Sequence, residues 1–114
     1  MTGEYKRLSH TKTIKIADAT PITGQELDKH GIVLVGHRMG VVMDKLNETE
    51  IIVCFDPQRD FTTKSFDESD LPKVGERLYI KPSDGKLTKT ESGNGLVGYY
   101  WGQIGGAAIF SLHA

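Results

Sequence analysis

The feature that most constrains this chain is its punctuation. Short β-branched and aromatic runs recur about every 8–12 residues, and glycine, proline, aspartate or asparagine closes each of them. No stretch of about 11 residues or more carries a sustained 3.6-residue apolar period, so long amphipathic helices are excluded. Thr11 to Ile16 alternates polar and apolar side chains, which predicts a half-buried strand. Ala17 to Gln25 holds Asp18, Thr20, Pro21, Thr23 and Gly24, the residues of turns. Gly31–Val35, Gly40–Met43 and Glu50–Phe55 are apolar strand patterns. Asp56 to Pro72 reads as irregular, with one short helical turn within Ser65–Leu71 that Pro72 stops.

Beyond Pro72 the pattern sharpens. Arg77–Lys81 is a strand, Pro82–Gly85 a tight turn and Lys86–Thr90 its return. Ser92–Gly95 is a second turn, Leu96–Ile104 a long strand, Gly105–Gly106 a third turn and Ala107–Leu112 the last strand, giving a four-strand meander. The expectation is an all-β fold: a small β-sandwich or a partly open, β-tulip-like barrel over residues 14–114. Residues 1–13 form an extended N-terminal arm in this reading, since the first ten carry no core pattern.

Composition narrows the function. At 114 residues the chain is one domain. Its 14 Lys+Arg and 15 Asp+Glu leave a net charge of −1, which argues against a general phosphate-binding surface and hence against a nucleic-acid partner. No apolar run reaches the roughly 18 residues of a membrane span, and the polar start (Thr2, Gly3, Glu4, Lys6, Arg7) does not read as a signal peptide. Cys54 is the single cysteine; it excludes an internal disulfide and reads as a buried apolar thiol. Charge is uneven: residues 44–76 hold four basic and nine acidic groups, a net of −5, whereas residues 1–43 and 77–114 each carry +2. Such an acidic run is more often a solvated face than a docking patch.

The motifs that suggest chemistry lack their context. Gly93-Asn94-Gly95-Leu96-Val97-Gly98 matches the dinucleotide fingerprint, but it runs into the strand pattern Tyr99-Tyr100-Trp101 rather than opening a helix. It reads instead as a turn at Gly93–Gly95, with Gly98 and Gly102 giving room for close packing. His10, His30, His37 and His113 share no metal-ligand spacing. Asp56, Asp60, Asp67, Glu68 and Asp70 do not match the twelve-residue calcium loop. No nucleophile, base and orienting group can be named together, so neither an enzyme nor a cofactor nor a metal is expected. On a regular strand Tyr99 and Trp101 share a face with Val97, and Tyr100 shares the other with Leu96, Gly98 and Gly102. One of these aromatic faces is core; the other is a candidate interface.

The series Lys73-Val74-Gly75-Glu76-Arg77-Leu78-Tyr79-Ile80, then Asp84-Gly85-Lys86-Leu87-Thr88, then Ser92-Gly93-Asn94-Gly95-Leu96-Val97-Gly98 resembles the capsid cement, or head decoration, proteins of tailed bacteriophages. His30–Gly36 followed by Gly40-Val41-Val42 is similar to a hairpin of the same family. The likeness spans roughly residues 12–112 and departs from the family at Phe55–Leu71, which is charged here where the family is rich in alanine and glycine. The resemblance implies a non-enzymatic virion protein, made in the host cytoplasm, that sits on the outer surface of the expanded head. There it staples neighbouring major capsid proteins as a small homo-oligomer, a homotrimer before a dimer. Tyr5, Lys6, Arg7 and Lys12, on a cationic arm with an aromatic anchor, are the candidates for capsid contact; Tyr99 and Trp101 are the candidates for subunit contact. The runner-up reading is a small nucleic-acid-binding β-barrel that stacks bases on the aromatics, although Lys81, Lys86 and Lys89 supply few cations for it.

Overall fold

The computed structural model describes residues 10–27 and 30–113. Among the described residues, ten strands form two antiparallel sheets that do not close into a barrel, the arrangement of a small β-sandwich. In chain order they are β1 (Thr11–Lys15), β2 (Thr20–Pro21), β3 (Ile32–Val35), β4 (Arg38–Lys45), β5 (Glu50–Cys54), β6 (Asp60–Thr63), β7 (Arg77–Ile80), β8 (Leu87–Thr88), β9 (Gly95–Ile104) and β10 (Ala107–Leu112). The first sheet runs β1-β5-β4-β3-β2 and the second β6-β10-β9-β7-β8. The only helical pieces among the described residues are two single 3-10 turns, Ile16–Asp18 and Glu68–Asp70, and the second falls where a helical turn was expected.

The central core lies between the sheets. Ile32 and Val41 from the first sheet meet Leu78, Ile80, Leu87, Val97, Tyr100, Phe110 and Leu112 from the second. The first sheet also buries its other face: Val33, Val42, Ile51 and Val53 are fully buried there, with Ile14, Ile16, Leu27 and Phe55 packed against them. This double burial is why β3, β4 and β5 read as continuous apolar runs, while the edge strand β1 alternates.

Four details differ from the sequence reading. The strand read from the alternation at Thr11–Ile16 forms, with Thr11 paired to Cys54, so residues 11–13 belong to the sheet and not to the arm expected over residues 1–13. β6 lies in a segment read as irregular; its single apolar residue, Phe61, packs on Phe110 with ring centroids 5.8 Å apart. The C-terminal strands are not a simple meander, because β9 pairs with β7 and leaves the two-residue β8 at the edge. Gly102 faces open space rather than a close packing partner, and it has a φ of +109°.

One side of the sandwich is sealed by turn-to-turn contacts. Gln25 Nε2 donates to the Gly85 carbonyl at 2.6 Å, and Gln25 Oε1 accepts from the Ile32 amide at 3.0 Å. Ser65 Oγ donates to the same Gly85 carbonyl at 2.8 Å, and residues 65–67 add a parallel bridge beside Leu87.

Candidate functional site

The surface with the most to offer a partner is the outer face of the second sheet, and two bulges in β9 create it. Between β7 and β9, Leu78 pairs with Gly98 and Tyr79 with Leu96, so Val97 is an extra residue. Between β9 and β10, Ile109 pairs with Gly102 and Phe110 with Tyr100, so Trp101 is a second extra residue. Each bulge breaks the two-residue alternation of side chains. Val97 and Tyr100, three apart, therefore both lie in the core. The expected sharing of one face by Val97, Tyr99 and Trp101 is corrected accordingly: Val97 is fully buried, Tyr99 is half-buried and Trp101 is 44% exposed. The left-handed backbone of Gly102 completes the second bulge.

Trp101 is exposed yet fixed. Its indole N–H donates to Ser111 Oγ across the strand at 2.8 Å. Its ring edge lies against Gly75, in a turn bonded to β9 twice: the Gly75 amide donates to the Tyr100 carbonyl at 2.7 Å, and the Tyr100 amide to the Glu76 carbonyl at 3.0 Å. That turn carries Val74, and Ile104 lies at the far end of β9; both are exposed. Three of the four exposed large apolar side chains among the described residues, Val74, Trp101 and Ile104, thus sit on β9 or on the turn stitched to it. Tyr99 stands opposite Arg77 and Ser111, with its hydroxyl 3.3 Å from His113 Nδ1.

Tyr99 and Trp101 are thus brought to one face. Lys12 is not among them: it is exposed on β1 of the other sheet, opposite Val53. Tyr5, Lys6 and Arg7 lie outside the described residues. Sequence reasoning missed Val74 and Ile104. The only signal for Ile104 is an apolar residue directly before the Gly105–Gly106 turn, and for Val74 nothing local distinguishes it from a core position.

The acidic middle segment is largely consumed by loop chemistry. Asp56 accepts from the Gln58 amide at 2.9 Å. The Lys81 ammonium, 3.0 Å from Asp67, together with Ser69 holds the Asp67 carboxyl below its ordinary range, and the same pairing raises Lys81. Asp70 accepts from the hydroxyls of Thr88 and Thr90, which hold its carboxyl low. These bonds tie the loop to β8 and give Asp67 and Asp70 local partners. Among the described residues no group of three or more His, Cys, Asp or Glu side chains converges to hold a metal. The glycine motif at residues 93–98 forms a turn and enters β9.

Comparisons with protein-family models, with curated proteins and with solved structures found no match to this chain.

Proposed function

We propose that this chain is a non-enzymatic capsid-stabilising protein. It binds the outer surface of an expanded phage head and cements neighbouring major capsid proteins, acting as a small homo-oligomer, a trimer before a dimer. The observation that carries the reading is the fixed apolar face around Trp101, with Val74 and Ile104 exposed beside β9. Exposed apolar side chains on a rigid sheet mark a protein interface, and hydrogen bonding of the indole limits the ordering cost of association. The likeness of residues 73–98 to head decoration proteins supplies the partner.

The mechanism is mass action. A protein that binds only the expanded lattice stabilises that lattice by RT ln(1 + [L]/Kd), and an oligomer with several contacts gains avidity without new chemistry. The test is co-sedimentation of the purified protein with expanded heads that lack it, with unexpanded heads alongside. Saturable binding to expanded heads alone is the expected result, and its copy number identifies the symmetry site. Binding to neither kind of head overturns the reading.

A further inference from the structure

An edge strand is a template for another strand unless something blunts it. Among the described residues the two sheets end in four edges, β1, β2, β6 and β8. β2 is two residues long and contains Pro21, which has no amide hydrogen to donate. β8 is also two residues long, and its outer side is already used: the Leu87 amide donates to the Ser65 carbonyl at 3.0 Å, and the Asp67 amide to the Leu87 carbonyl at 2.9 Å. β6 has four residues. β1 is the longest edge, five residues without glycine, proline or bulge, in unbroken register with β5 from Thr11–Cys54 to Lys15–Glu50. The bonds at its two ends fix where its backbone groups point. The Phe55 amide donates to the His10 carbonyl at 2.8 Å, and the Ile16 amide to the Thr49 carbonyl at 2.8 Å. Even-numbered residues therefore bond to β5, and in an antiparallel ladder the residues between them turn amide and carbonyl the other way. Thr13 and Lys15 thus present both groups to the outer edge, beside which no strand lies among the described residues.

We propose that this edge pairs with β1 of a second copy, antiparallel about a two-fold axis at Ile14. In that register Thr13 faces the partner's Lys15 and exchanges two backbone hydrogen bonds with it, and the axis repeats the exchange at Lys15. Ile14 faces the partner's Ile14 at the closer, non-hydrogen-bonded position. Ile14 is half-buried and packs on the cluster of Val33, Val42, Ile51 and Val53, so the pair carries that apolar layer across the axis. The charges select the register. Lys12 and Lys15 are both exposed, and lysines on an edge oppose indiscriminate pairing. An axis at Lys12 or at Lys15 sets a lysine against its own copy, which is destabilising. An axis at Thr13 avoids this but sets Ile14 against Lys12. The axis at Ile14 sets Lys12 against Ile16 and Lys15 against Thr13, with no like charges opposed. A second copy is therefore the occupant that the edge fits: the strand is complementary to itself, as a two-fold contact requires. β1 belongs to the other sheet from Trp101, so this contact is separate from the Trp101 face and does not rest on the cement reading.

Amide exchange of the full chain, at low and at high protein concentration, reads the contact directly. Protection of the Thr13 and Lys15 amides should rise at least tenfold with concentration. Thr13→Pro removes an amide that β5 does not use, so it should melt close to its parent. On a Trp101→Ala background, which leaves β1 as the contact, it should weaken association at least tenfold in sedimentation equilibrium. Ile14→Cys, mildly oxidised, should give a disulfide-linked dimer, whereas Lys12→Cys, facing the partner's Ile16, should not; Cys54 is buried and stays out of the exchange. Exchange at Thr13 and Lys15 that does not change with concentration overturns the inference. So does Thr13→Pro association within twofold of its parent, a Trp101→Ala protein that does not associate, or a Lys12→Cys dimer that forms as readily as the Ile14→Cys dimer.

Discussion

Gly98→Ala should destabilise this protein severely, although the usual rule gives the opposite sign. Gly98 is not among the glycines with left-handed backbone, so alanine meets no conformational strain there. Where space allows, such a change stabilises by about 0.4–1 kcal/mol through the unfolded chain. Here there is no space. Gly98 pairs with Leu78 on one side and Leu112 on the other. A β-carbon built on it overlaps the Ser111 carbonyl oxygen and lies 2.8 Å from the carbonyl carbons of Ser111 and Leu112. These are backbone atoms and cannot rotate away, so β10 must shift. β10 carries Ala108, Phe110 and Leu112, all 0–1% exposed, and its end is tied by the His113 amide to the Val97 carbonyl at 2.8 Å. Overpacking of this kind costs about 1–3 kcal/mol, and one or two weakened ladder bonds add roughly 1 kcal/mol each. The total, about 2–5 kcal/mol, is a large part of the stability of a domain of this size. At roughly 5 °C per kcal/mol, Tm falls by about 10–25 °C. Gly93→Ala is the control from the same glycine motif: it meets nothing within 4 Å but has a φ of +77°, so it pays only the left-handed backbone cost of about 1–2 kcal/mol. Thermal melts by circular dichroism read both variants. A Gly98→Ala protein that melts within about 5 °C of wild type, or above Gly93→Ala, refutes the steric reasoning.

Three further outcomes are expected. Trp101→Ala should stay folded, losing one hydrogen bond worth about 1 kcal/mol, and should lower self-association in sedimentation velocity; a Tm drop above about 15 °C would instead make Trp101 a core residue. Asp67 and Asp70 are held below the ordinary carboxyl value of 3.8, so the stability they add is present above that value and drains as pH falls through their folded values. Melts from pH 6 to pH 2 should show this loss, and Asp70→Asn should flatten the curve. The raised Lys81 acts in the other direction: its contribution is present below the ordinary lysine value of 10.5 and is lost as pH rises through the folded one. Gln25→Ala removes a side chain that bridges Gly85 and Ile32, at a cost of about 1–3 kcal/mol; urea unfolding should show a lower midpoint with an unchanged m value.

The strands and turns of this protein are written locally. The alternation of β1, the apolar runs of β3 to β5 and the turns at Asp84–Gly85, Ser92–Gly95 and Gly105–Gly106 follow from side-chain period and from backbone angles that few residues tolerate. Those signals make the chain all-β and place most of its core. Tertiary structure decided three things they do not carry. It placed β6, whose one apolar residue is too weak a pattern, because Phe61 finds Phe110 about fifty residues away. It paired β9 with β7 rather than β8, since pairing depends on distant backbone that no local window contains. It also chose which aromatic faces water. A single extra residue inverts every later side chain on a strand, so the bulges at Val97 and Trp101, set by pairing with β7 and β10, buried Tyr100 and left Trp101 at the surface.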